Sequence, residues 1–198
     1  MAQLRRLLVL LSVSWGLSHA QGDWSHGTWE HAGFDSWGGA DDEGTGSLCP
    51  RWEDNPECPC YDDAGVVLEC PMVSLAAISN VLELIKETIK SLSIYDLDID
   101  VTILPDMIFD RSSGVVDLQI SHSRIMSIAD NGFKGLEDTL ESLTIKHCRL
   151  STVPQVALKK LVALKTLNLE SNNITELSSF AFTRMRIQTL NVKGNMIK

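Results

Sequence analysis

Residues 164–177, LKTLNLESNNITEL, constrain the fold more than any other stretch. They read L-x-x-L-x-L-x-x-N-x-I-x-x-L. Leu167 and Leu169 alternate, so both point to one face of a short strand. Asn172 turns the chain, and its amide can pair backbone groups that a tight turn leaves without partners. Ile174 and Leu177 are expected to return to the same apolar core. One such unit cannot bury its own apolar face, so it needs copies stacked beside it.

The copies are present. The strand leucine recurs as Leu92, Leu118, Leu143, Leu167 and Leu190, at intervals of 26, 25, 24 and 23 residues. Two residues later stand Ile94, Ile120, Ile145, Leu169 and Val192. The Asn position holds Leu97, Ser123, Cys148, Asn172 and Asn195. Two residues beyond it come Ile99, Ile125, Leu150, Ile174 and Ile197. Intervals of about 20–29 residues with this pattern are those of the leucine-rich repeat. Ser123 is a weaker bonding residue than Asn or Cys, and Leu97 cannot bond at all. The first repeat also carries two extra residues before Leu104-Pro105, so its turn should be irregular.

The segment before the repeats divides in two. In residues 1–20, Arg5 and Arg6 precede an apolar run, and Ser18-His19-Ala20 offers small residues for cleavage. That reads as a secretory signal peptide, too short for a membrane span. No other run in the sequence is long and apolar enough to span a bilayer. Residues 21–48 are rich in glycine, hold six acids and lack Lys and Arg. Such a composition buries too little surface to offset chain entropy, so a disordered acidic Trp/Gly/His linker is expected. Trp24, Trp29, Phe34 and Trp37 make it sticky. His26 and His31 beside acids could hold a metal loosely, but nothing there fixes a geometry. Loss of Arg5 and Arg6 with the signal takes the net charge from −9 to −11. A chain this acidic lacks the positive face that nucleic acid requires.

Cys49, Cys58, Cys60 and Cys70 follow, spaced C-x8-C-x-C-x9-C. In an exported chain this reads as two disulfides. A zinc site is the rival, and it lacks C-x2-C pairs. Three pairings are open, with the close pair Cys58/Cys60 the poorest. The segments Cys49-Pro, Cys58-Pro-Cys60 and Val66-Val-Leu68-Glu-Cys70, ahead of repeats, resemble the cysteine-rich N-terminal cap of extracellular leucine-rich-repeat proteins. The resemblance implies pairing first with third and second with fourth, hence Cys49–Cys60 and Cys58–Cys70. The first gap here is longer than that family's. Residues 118–123 (LQISHS) and 139–154 (TLESLTIKHCRLSTVP) are also similar to arthropod secreted repeat proteins. These include the non-catalytic subunit of the shrimp (Oplophorus) luciferin monooxygenase.

The expected fold class is α/β. It is a leucine-rich-repeat solenoid with a curved parallel sheet of about six short strands, short convex helices and a disulfide-bonded N-terminal cap. The expected organisation is a cap over residues 49–74 and repeats over 75–198. Residues 66–70 form the capping strand, because Leu68 precedes Leu92 by one more repeat interval. Ser74 caps a helix carrying Leu75, Ile78, Leu82, Ile85 and Ile89 on one stripe. Residues 105–110, 130–137, 154–163 and 178–185 are shorter convex segments, anchored by Phe109, Phe133, Leu158 and Phe182. The sequence stops within a repeat, before any cysteine-rich C-terminal cap. The expectation is therefore a longer parent protein or an open end that meets a partner.

Outward strand positions tile the concave face. The binding candidates are Ser93, Gln119, Thr144, Asn168 and Asn191 in one column. Tyr95, Ser121, Lys146, Glu170 and Lys193 form the next, and Asp96, His122, His147, Ser171 and Gly194 the last. Polar, small and of mixed charge, this platform suits an extracellular protein or glycan. His122 and His147, with Glu170 near, could share a metal or respond to pH, although surface histidines usually do neither. Cys148, the fifth cysteine, reads as a buried inert thiol on the Asn ladder, with an intermolecular disulfide as the rival. Asn173-Ile-Thr175 is an exposed glycosylation sequon. Enzyme motifs are missing, and no cofactor or metal centre is expected. The reading is a secreted binding module. The alternative that the closer resemblance implies is a non-catalytic subunit stabilising a secreted enzyme.

Overall fold

A computed structural model describes residues 48–198. The expected signal peptide and, apart from Leu48, the acidic linker lie outside the described residues.

After a 3-10 turn at Trp52–Asp54, the chain runs β1 (Cys60–Asp62), β2 (Val66–Pro71), α1 (Leu75–Leu84), β3 (Ile89–Tyr95) and β4 (Ile103–Leu104). It continues β5 (Val115–Ser121), β6 (Ser127–Ile128), β7 (Ser142–Lys146), α2 (Gln155–Leu158), β8 (Thr166–Asn168) and β9 (Thr189–Asn191). One seven-stranded sheet has the order β1-β2-β3-β5-β7-β8-β9, and β4 and β6 pair separately. All pairs are parallel except β1 with β2. The register places Leu68, Leu92, Leu118, Leu143, Leu167 and Leu190 side by side across β2 to β9. This is a leucine-rich-repeat solenoid whose coils advance one strand at a time.

The cap is stapled as well as packed, with Val66 and Leu68 fully buried. Disulfides join Cys49 to Cys60 and Cys58 to Cys70. Cys58 and Cys70 are fully buried, and buried Asn55 donates from its amide to the Cys58 carbonyl. Strand β1 was not legible in the sequence. Tyr61 and Asp62 are exposed, so no apolar alternation marks it.

Inward strand residues build the core. Leu92, Leu118, Ile120, Leu143, Ile145, Leu167 and Leu169 are fully buried. Ser74 caps α1 by accepting from Ala77 N–H at 3.2 Å, worth about 1 kcal/mol. The helix is shorter than its stripe implied. It ends at Leu84, and its buried face is Ala77, Ile78, Val81 and Leu82. Ile85 is the helix C-cap and Ile89 opens β3, so both reach the core from extended backbone. The other convex segments are turns, except for the single turn of α2. Phe109, Phe133 and Leu158 anchor them as expected, with the two phenyl rings stacked at 6.5 Å. Phe182 is only partly buried, and Ala181 takes the buried position in that coil.

Four apolar positions differ from expectation, two of them Leu190 and Ile197 of the last coil, which are exposed. Ile99 is 58% exposed, because the two extra residues in the first repeat shift the return and place Val101 against the core instead. Leu177 is 37% exposed, while Ile174 fills the core position before it.

The Asn ladder locks the coils together. Asn172 Nδ2 donates to Ile145 O at 2.8 Å and to Leu169 O at 3.0 Å. Its Oδ1 accepts from Leu150 N–H of the preceding coil. Asn195 repeats this with Leu169 O, Val192 O and Ile174 N–H. Ser123 does more than its type implied, bonding Ser121 O at 2.9 Å and accepting from Leu97 N–H at 3.2 Å. That second bond satisfies the one ladder position whose own side chain cannot bond.

Candidate functional site

The outward positions of the parallel sheet form an aligned polar ledge. Ser93, Gln119, Thr144, Asn168 and Asn191 are direct neighbours in register. All five are half-exposed, as are Tyr95, Lys146 and Glu170, and Lys193 is exposed. Parallel neighbours lie about 4.8 Å apart, so each column presents hydrogen-bonding groups at near-constant spacing. The ledge extends one strand beyond the sequence reading. Glu69 pairs in register with Ser93 and is exposed. Its signal was present, since it follows Leu68 as Ser93 follows Leu92. Ser121, placed in the outward column by its position, is only 2% exposed and lies under the ledge.

The asparagines act on the backbone as well as on the surface. Asn168 Oδ1 accepts from Glu170 N–H at 3.0 Å, and Asn191 Oδ1 from Lys193 N–H at 3.1 Å. Each side chain takes an N–H next to the strand end, which is where β8 and β9 stop after three residues. Asn191 Nδ2 also donates to Glu170 Oε2 at 3.1 Å, which fixes that carboxylate over the ledge.

The last column sits on the strand exits. Met72, Asp96, His122, His147, Ser171 and Gly194 all adopt φ between 51° and 67°. One left-handed residue per coil turns the chain off the sheet. Asp and His tolerate that conformation better than most residues. The N–H of Asp96, His122, His147 and Ser171 each donates to the carbonyl of the next coil. His122 and His147 are exposed and stack, with centroids 4.9 Å apart and planes at 19°. Stacked rings keep their nitrogens side by side rather than converging on one point. No group of three or more His, Cys, Asp or Glu that could hold a metal occurs among the described residues.

Cys148 is buried beneath this column as a free thiol. Its Sγ lies 3.4 Å from Lys146 O and 4.0 Å from Ile120 O, the carbonyls corresponding to those bonded by Asn172 in the next coil. Burial pushes the thiol pKa up, offset in part by a backbone hydrogen bond at Ser123. Asn173 is exposed beside the ladder, its N–H donating to Leu150 O. It stands past the exit of β8 and outside the aligned columns.

The architecture is that of a leucine-rich-repeat solenoid, and such arrays present extended surfaces for binding other proteins. A leucine rich repeat family model matches residues 138–197. Chaoptin of Drosophila melanogaster is 36% identical over 58 residues, which is 29% of this chain and 4% of chaoptin. The chain thus spans a small fraction of that relative's length. No helix among the described residues is long and apolar enough to cross a membrane.

Proposed function

We propose that the chain is a secreted binding module that recognises an extracellular protein or glycan through its concave face. The observation that carries this is the in-register ledge of half-exposed polar groups, with Lys146, Glu170 and Lys193 alternating in charge along one column. Polar columns on a rigid sheet favour a ligand with many hydrogen-bonding groups over a lipid or a small cofactor. Export is supported by the signal-like residues 1–20 and by two disulfides, which persist in oxidising compartments. Within this proposal residues 21–48 are a spacer, 49–74 a cap and 75–198 the repeats. Asn173 carries a glycan past the strand exits, leaving the ledge clear.

The test is recovery of a partner from the native extracellular fluid by wild-type protein and two charge-reversed variants. Lys146→Glu/Glu170→Lys on the ledge should lose the partner, and Lys86→Glu/Lys134→Glu on other surfaces should retain it. Loss by the second variant alone would refute the concave site.

A second reading, a stabilising subunit of a secreted enzyme, rests only on the resemblance read from residues 118–123 and 139–154 to the non-catalytic luciferin monooxygenase subunit. It requires a constant partner that co-purifies at fixed stoichiometry and loses activity when stripped of this chain.

A further inference from the structure

We infer that the convex surface over the last two coils carries a second binding site, for a sulfated polysaccharide, with Lys159, Arg184 and Arg186 as its cationic contacts. Two adjoining open cavities of about 430 and 400 Å³ lie there. Lys159 and Arg184 border both. Phe180 and Thr183 complete the first, and Val162 and Arg186 help to line the second. Among the described residues, neither is lined by an acidic side chain, in a chain whose net charge is −9.

Lys90, Arg111, Lys134 and Lys165 pair with Asp63, Glu83, Asp110 and Glu141. Lys160 donates to Asp130 O and Asn131 Oδ1. Lys159, Arg184 and Arg186 make no ion pair among the described residues.

Arg184 stands where an earlier coil needs glycine. Counting two residues from the convex phenylalanine gives Gly135 after Phe133 and Arg184 after Phe182. Gly135 has φ 97°, and a Cβ there would collide with the Phe109 carbonyl. Arg184 keeps a left-handed turn, at φ 68°, but with the largest cationic side chain on it. An L-residue without Asn or Asp chemistry rarely adopts this conformation.

The lining selects the ligand class. A guanidinium presents a planar fork that matches a sulfate oxygen pair, and several cations close together favour a polyanion. Phe180 is 71% exposed beside them, a flat apolar surface on which the C–H face of a sugar ring can lie. The N–H groups of Lys159, Leu161, Val162, Thr183 and Met185 are all donated to carbonyls within the fold. The site is on the opposite side from the polar ledge, so neither assignment depends on the other.

The experiment is calorimetric titration of the secreted protein with a heparin hexasaccharide at about 0.15 M salt, near physiological ionic strength. Wild type should bind. Arg184→Gly should weaken binding by about tenfold, the loss expected of one charge-assisted hydrogen bond. Its melting temperature should equal or exceed that of wild type, because glycine suits the left-handed turn. Lys159→Gln/Arg186→Gln should weaken binding further, and Lys86→Gln, in the first coil, should leave it unchanged. The proposal is overturned if wild type does not bind or if folded Arg184→Gly binds equally. Equal binding of the desulfated hexasaccharide, or of hexaglutamate, would also overturn it.

Discussion

Asn172 shows how one residue type earns its place at one position. Its amide joins four backbone groups from two coils, Ile145 O, Leu169 O, Glu170 O and Leu150 N–H. Asn172→Ala would remove these bonds, at about 1–3 kcal/mol for each buried group left unpaired before relaxation. The expected loss is about 3 kcal/mol, measured by urea denaturation, against less than about 0.5 for exposed Asn173→Ala. Cys148 occupies the same ladder position with a weaker donor. Its pKa is raised by burial, so the folded state holds the thiol proton to higher pH than the unfolded chain does. Its contribution is intact below the unfolded thiol's pKa of about 8.5 and declines as pH rises through the folded value. Stability measured against pH should therefore fall above pH 9 in wild type, and fall less in Cys148→Ser. The ladder was visible in the sequence because the spacing repeats. The service that Ser123 gives to Leu97 N–H was not, because it depends on which donor the neighbouring coil leaves unpaired.

The elements follow two different forces. Strands β2, β3, β5, β7 and β8 follow burial, so their positions could be read from the repeat leucines. Strand β1 follows the disulfides, and two of its three residues face solvent. Its existence could not be read from periodicity. Replacing Cys58 and Cys70 together by Ser should cost about 3 kcal/mol from the released loop, besides the lost burial. Far-UV circular dichroism on heating should show the cap melting earlier. The helix α1 was read too long, because Ile85 and Ile89 continue an apolar stripe that extended backbone also satisfies. Convex anchors were legible by size: Phe109 and Phe133 are buried and stacked. Phe133→Ala should cost about 3–5 kcal/mol on thermal or urea unfolding. Phe182→Ala should cost clearly less, since Ala181 holds the buried position in its coil.

At the scale of the whole molecule, the solenoid separates two surfaces of opposite character. The sheet presents a polar ledge with alternating charge, and the convex turns present a cationic cleft whose Lys159, Arg184 and Arg186 make no ion pair among the described residues. The ledge could be listed residue by residue from the sequence, because every outward position has a fixed offset from a strand leucine. The cleft could not, since it joins the end of α2 to a turn one coil later. On the ledge, the ligand is selected by the shape and hydrogen-bonding groups a partner brings to it.

Amine crosslinking of the chain to its recovered partner, mapped by mass spectrometry, tests the central claim most directly. The concave reading predicts crosslinks from Lys146 and Lys193, with Lys86, Lys90 and Lys134 unmodified by the partner. Crosslinks confined to Lys86, Lys90 and Lys134, with Lys146 and Lys193 free, would contradict it.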